Sequence, residues 1–214
     1  MKNITCVLFD MDGVMIDTEA QYDIFWKRAG ERYNISIPNF EKVIKGTTLP
    51  NILKKYFSEC TKEELDNLVA DLDKFESQMQ YPEIPGSVHF VEKLKNKGLK
   101  VGLVTSSTDT KLIGVYREKH LDTLFDTIVS AARVVNGKPA PDCYLLAAKD
   151  LEVDPKDCIV FEDSFAGIEA GQSAGMIVIG LSTTHPADKI AEKGVKVIPN
   201  FEGFTYEAML ELVK

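Results

Sequence analysis

What most constrains this chain is a recurring pattern of short, β-prone runs that are nearly unbroken in apolar residues. They lie at Ile4–Phe9, Val101–Thr105, Thr127–Ser130, Ile159–Glu162 and Met176–Ile179, with a weaker copy at Val195–Ile198. A strand open to water on one face alternates apolar and polar residues, whereas one buried on both faces of a parallel sheet does not. Helical spacing fills most of the intervals, at Val88–Asn96, Asp109–Glu118, Cys143–Asp150 and Phe165–Ala174. Strand and helix alternating at this interval predict right-handed βαβ units. The fold class is therefore α/β, with a doubly wound, Rossmann-like, mostly parallel sheet as its core.

From about Thr18 to Pro85 the alternation stops. Apolar positions there keep helical spacing only, as in Tyr22, Phe25, Trp26, Ala29 and Tyr33, then Leu65, Leu68, Val69 and Leu72. Pro82-Glu83-Ile84-Pro85-Gly86 closes the stretch with residues that break regular structure. The expectation is an all-helical cap at 17–85 inserted into a core made of 1–16 and 86–214.

A chain of 214 residues with 44% hydrophobic residues can bury a core without disulfide or metal staples. Its 25 Lys and Arg against 33 Asp and Glu give a net charge of −8, which disfavours nucleic acid and anionic membranes as partners. The apolar runs are too short to span a bilayer, and Asp10, Asp12 and Asp17 interrupt any signal-peptide core. Four cysteines without CxxC spacing read as buried small hydrophobes in a reducing compartment. A cytoplasmic monomer or weak homodimer is expected.

Ligands of open α/β sheets bind at the carboxyl ends of the strands. The first strand ends in Phe9-Asp10-Met11-Asp12-Gly13, and the fourth in Phe161-Glu162-Asp163-Ser164. Carboxylates gathered at one sheet edge repel one another and need a shared proton or a cation. An all-oxygen donor set without His or Cys suits Mg²⁺. Thr105-Ser106-Ser107 ends the second strand with hydroxyls and amides suited to phosphate oxygens. Lys138, in Gly137-Lys138-Pro139, can offset the acids. Each motif has a plainer reading alone: Ser164 as a helix cap, Thr105-Ser106-Ser107 as capping, Lys138 as a surface lysine. Together they supply a nucleophile, an acid/base, a phosphate grip and a metal site.

The set resembles the haloacid dehalogenase superfamily, in its phosphatase and β-phosphoglucomutase branch with a small helical cap. Asp10-Met11-Asp12-Gly13-Val14, Thr105-Ser106-Ser107, Gly137-Lys138-Pro139 and Glu162-Asp163-Ser164-Phe165-Ala166-Gly167 carry the likeness. The resemblance implies Asp10 as nucleophile and Asp12 as general acid and then base, with Thr105 and Lys138 holding the phosphoryl group. It also implies Mg²⁺ on Asp10, Asp163 and the Asp12 carbonyl, with Glu162 bound to it or beside it. Substrate contacts would come from Ser106 and from Lys45 and Thr48 of the cap loop Lys45–Asn51.

The implied function is a Mg²⁺-dependent phosphatase acting on a small phosphorylated metabolite such as a sugar phosphate. A β-phosphoglucomutase-type mutase is the alternative, and a catalytically silent metabolite-binding module is a third reading. The mutases of this branch carry a histidine on the first cap helix, where this chain has Tyr22 or a near neighbour. They also carry an arginine in the cap loop, where this chain has Leu49. Arginine's fork suits a second phosphate better than leucine does. His89, His120 and His185 show no metal spacing; His185 follows a strand and could approach the site.

Overall fold

The computed structural model describes residues 3–45 and 47–214; Gly46, in the cap loop, lies outside them. Six strands form one sheet: β1 (Cys6–Phe9), β2 (Lys100–Val104), β3 (Thr127–Val129), β4 (Cys158–Glu162), β5 (Ile177–Leu181) and β6 (Lys196–Ile198). Their order is β3-β2-β1-β4-β5-β6, and every pairing is parallel. The expected strands are all present, and the sheet is wholly rather than mostly parallel. The chain winds outward from β1 in one direction and then returns to wind in the other. The crevice at the carboxyl ends of β1, β2 and β4 is thus the topological switch point where ligands bind.

The near-continuous apolar runs are explained by the two cores. Side chains alternate across a strand, so Val7 and Phe9 of β1 enter one apolar layer while Cys6 and Leu8 enter the other. The first layer is covered by α5 (Ser87–Asn96), α6 (Asp109–Lys119), the short α7 (Leu121–Leu124) and the terminal helix Tyr206–Leu212. The second is covered by α8 (Asp142–Asp150), α9 (Phe165–Ser173) and Ala187–Ala191. Phe9 and Phe161 stack at 5.2 Å between ring centroids, and Phe90 meets Phe161 edge-on at 5.7 Å. These rings fix β1 against β4, the two strands whose ends carry the acids.

Between β1 and α5 the described residues form helices α1 (Glu19–Arg32), α2 (Phe40–Val43), α3 (Leu49–Tyr56) and α4 (Lys62–Glu76), with no strand among them. They enclose an apolar cluster of their own, including Trp26, Phe40, Ile52, Phe57, Leu68 and Leu72. Helix α4 begins with a reciprocal capping box: Thr61 Oγ1 accepts from the Glu64 amide, and the Glu64 carboxylate accepts from the Thr61 amide.

Phe161 is fully buried between rings of β1, α5 and the segment Phe201–Phe204. Phe161→Ala is expected to lower unfolding free energy by about 3–5 kcal/mol. Urea denaturation followed by circular dichroism measures it, and a loss under about 1 kcal/mol would contradict this account of the core.

Candidate active site

Asp10 stands one residue past β1, with its amide still bonded to Phe161 O of β4 at 3.0 Å. That bond extends the ladder and holds the carboxylate at the sheet edge. Lys138 approaches from the loop between β3 and α8. Its ammonium is paired with Asp10 Oδ1, lies 2.6 Å from Glu162 Oε1 and also donates to Val104 O at 3.3 Å. The lysine side chain is 2% exposed. A lone cation so deep would shed its proton, but two carboxylates beside it more than offset the cost of burial and push its pKa upward.

Glu162 is the anchor of this arrangement. Its Oε1 accepts from Lys138 and from the Tyr144 hydroxyl at 2.7 Å. Its Oε2 accepts from the amides of Asp163 and Ser164 and from the Ser164 hydroxyl, at 3.1–3.2 Å. Ser164 Oγ in turn accepts from the Gly167 amide at 3.0 Å. Ser164 therefore caps α9, as its plain reading has it, and orders the site as well.

Asp163 lies beside Gly13, whose φ is +76°. Glycine is required there twice: by the left-handed backbone, and because a Cβ would overlap the Asp163 carboxylate. Asp10, Glu162 and Asp163 each offer an oxygen within 4.8 Å of the others, and all three are buried. Burial, aggravated by the neighbouring acids and opposed by Lys138, pushes the Asp10 carboxyl well above the usual range. Burial, Glu162 and Asp10 do the same to Asp163. Three hard-oxygen donors in mutual repulsion fit a divalent cation.

Asp12 goes elsewhere. Its Oδ1 accepts from Thr18 Oγ1 and Lys111 Nζ, and its Oδ2 from Ser107 Oγ at 2.8 Å. Burial would raise its pKa, but Lys111 and the two hydroxyls reverse that and hold the carboxyl below its usual range. The two aspartates that start on one side of an extended chain are thus neutralised by two different lysines.

Thr105 is buried, and its hydroxyl accepts from the Ser107 amide at 3.0 Å. Thr105, Ser106, Asp10, Asp12 and Asp163 line one cavity, together with Lys45. Lys45 is itself ion-paired to Glu19 at 2.8 Å and Asp23 at 3.0 Å. Thr48 is buried against Gly137, one residue before Lys138, and does not line the cavity. His185 stacks on Phe165 at 4.1 Å, beside Thr184, whose hydroxyl donates to Asp163.

Lys111, Glu76 and Thr184 were not singled out by any motif. Lys111 lies one helical turn beyond Thr108, the actual cap of α6, which pairs with the Lys111 amide at 3.4 Å. Its place just inside a helix that starts at the sheet edge was the available signal. Glu76, at the end of α4, accepts from Tyr22 OH at 2.7 Å and Thr108 Oγ1 at 3.2 Å, tying the inserted helices to the sheet edge.

A family model for haloacid dehalogenase-like hydrolases matches residues 7–181. A phosphorylated carbohydrates phosphatase of Thermotoga maritima is 34% identical over 79% of this chain and 81% of its own length. The β-phosphoglucomutase of Bacillus subtilis is 32% identical over 84% of each. One curated relative at 33% identity is far longer, and the chain spans 19% of its length. Among solved structures, a family IA, variant 3 hydrolase from Entamoeba histolytica superposes with a TM-score of 0.84 at 27% identity, covering 98% of this chain and 99% of that one.

The raised carboxyls give a signed expectation. Asp10 and Asp163 have folded pKa values above their unfolded ones, so their contribution to stability is full at low pH. It is lost as pH rises through the folded values. A divalent cation binds only the ionised carboxylates and removes that penalty. The rise in melting temperature on adding a divalent cation should therefore grow from pH 5 to pH 8. Fluorimetric melts with Mg²⁺ and with chelator measure it, and a rise independent of pH would contradict this reading.

Proposed function

Since the chain belongs to the haloacid dehalogenase-like hydrolases, we propose that it is a Mg²⁺-dependent phosphatase that releases phosphate from a small phosphorylated metabolite through an aspartyl phosphate on Asp10. The observation that carries this reading is the buried group of Asp10, Glu162 and Asp163 with Lys138 placed between two of them. It joins a nucleophile, a cation and a set of oxygen donors at the core end of a cavity that Asp10 and Asp163 line.

One Asp10 oxygen attacks phosphorus, and the ester P–O bond breaks. Lys138 opposes the burial that raises the Asp10 pKa and orients the carboxyl group for attack. Asp12 takes up the proton of the substrate's phosphate monoanion and gives it to the departing oxygen. As its anion, held by Lys111, Thr18 and Ser107, it then takes a proton from water, whose oxygen attacks phosphorus and frees Asp10 with release of inorganic phosphate. Thr105 and Ser106, at the end of β2, serve the phosphoryl oxygens. Asp10, Asp163 and the Asp12 carbonyl would hold Mg²⁺, which supplies positive charge against the phosphoryl oxygens when bound. Glu162, whose oxygens already accept five hydrogen bonds, orients Lys138 and the Asp163 loop.

Residues 17–85 act as the cap over a core of 1–16 and 86–214, and exclude water while chemistry proceeds. Lys45 serves its substrate loop from the cavity wall, whereas Thr48 supports that loop from behind, against Gly137. A sugar phosphate is the favoured substrate class, supported by the T. maritima relative's name. The likeness to a β-phosphoglucomutase supports a mutase as the second reading. Against it, Leu49 lines the cavity where a second phosphate would call for arginine. Free cysteines and the negative charge fit a cytoplasmic protein, monomeric or weakly dimeric. Among the described residues no helix is long and apolar enough to cross a membrane.

Asp10→Asn is expected to abolish phosphate release with the circular dichroism spectrum unchanged. Asp12→Ala should lower kcat by about 10²–10⁴. With Mg²⁺, β-glucose 1-phosphate and a trace of glucose 1,6-bisphosphate, free phosphate without glucose 6-phosphate supports the phosphatase. Glucose 6-phosphate accumulating without free phosphate makes the protein a mutase.

A further inference from the structure

The cavity, about 820 Å³ with its open mouth, has two unlike ends. The core end carries the acids of the sheet edge and the hydroxyls of Thr105, Ser106 and Ser107. The cap end is walled by Trp26, Ile44, Leu49, Ile52 and Leu72, with Tyr22 beside them. The cap end has to recognise whatever the phosphate is attached to.

Its charge is decided by a few side chains. Lys45 is the only lysine or arginine among the described lining residues, and the lining acids on the cap side are Glu19, Glu41 and Glu76. Lys45 is 9% exposed and sits between two carboxylates, Glu19 at 2.8 Å and Asp23 at 3.0 Å. Lys111, behind the wall, is paired to Asp12 and stands 4.3 Å over the Tyr22 ring. Burial and the charge of Lys45 push the His185 pKa below its usual value. Neither lysine has charge to spare, and the cap end is neutral to negative. A carboxylate or second phosphate entering it would lose hydration, find its cations already taken, and face Glu19 and Glu41.

We infer that this pocket selects phosphomonoesters whose leaving group carries no anionic group and lays an apolar face against Trp26, Leu49, Ile52 and Leu72. Bisphosphates and phosphorylated carboxylic acids are rejected. The specificity arises as much from repulsion of the anionic competitor as from attraction of the neutral one. The inference rests on the phosphatase reading above and assigns the leaving group that the reading leaves open.

Matched substrates test it on the wild-type protein with Mg²⁺ at pH 7. Benzyl phosphate is compared with 4-carboxybenzyl phosphate, and glucose 6-phosphate with glucose 1,6-bisphosphate, following phosphate release. The uncharged member of each pair that turns over is expected to have the higher kcat/KM by at least about 30-fold, since like charges facing each other cost several kcal/mol. Equal values within a pair, or preference for the anionic member, would overturn the inference and leave the phosphatase reading intact. No phosphate from any of the four would sink the phosphatase reading and this inference with it.

A second variant probes the cause. Glu19→Gln combined with Asp23→Asn uncovers Lys45, and should narrow the ratio about tenfold, chiefly through the KM of the anionic member. An unchanged ratio in a folded double variant would overturn the electrostatic account. If the variant does not fold, the wild-type ratios decide.

Discussion

Everything at the sheet edge depends on Lys138 lying between Asp10 and Glu162. Three buried carboxylates within 4.8 Å cannot all ionise without compensation, and this lysine is the cation that the chain supplies. Its position is set from several sides: Glu162 fixes it, Tyr144 lies beneath it with the ammonium 5.2 Å from the ring centroid, and Val104 O accepts from it. Glu162 is fixed in turn by the first turn of α9. The hydrogen bonds that start a helix thus also place the lysine that pairs with Asp10, at the end of the neighbouring strand.

A second lysine makes the site work as two halves. Lys111 takes Asp12, so Asp10 and Asp12, two residues apart in the chain, sit in separate electrostatic environments. Asp10 feels burial and its acidic neighbours, and its pKa rises; Asp12 feels Lys111 and two hydroxyls, and its pKa falls. The Lys111 side also joins the helices of the insertion, because Glu76 accepts from both Tyr22 and Thr108. The inserted helices and the surroundings of Asp12 therefore meet through one set of contacts.

The strands were legible because burial on both faces removes alternation, and the site because strand ends in an open α/β sheet converge. Boundaries moved by a residue or two where an edge residue such as Lys100 pairs in the ladder while its side chain reaches Leu151 O. Lys45 was legible as a cation in the cap loop. That Glu19 and Asp23 neutralise it was not, since those acids reach it from α1, across a turn whose geometry is absent from local spacing.

By itself the sequence determined the α/β alternation, the helical insertion after the first strand, and the acids, hydroxyls and lysine that meet at the sheet edge. These follow from periodicity and from residue type, both local properties of a chain. Only the tertiary structure decided which lysine neutralises which aspartate, that Glu162 anchors Lys138, and that the cap end of the cavity has no cation to spare. Pairing of charges depends on distances between segments far apart in sequence, and those distances exist only once the sheet has wound and the inserted helices have packed against it.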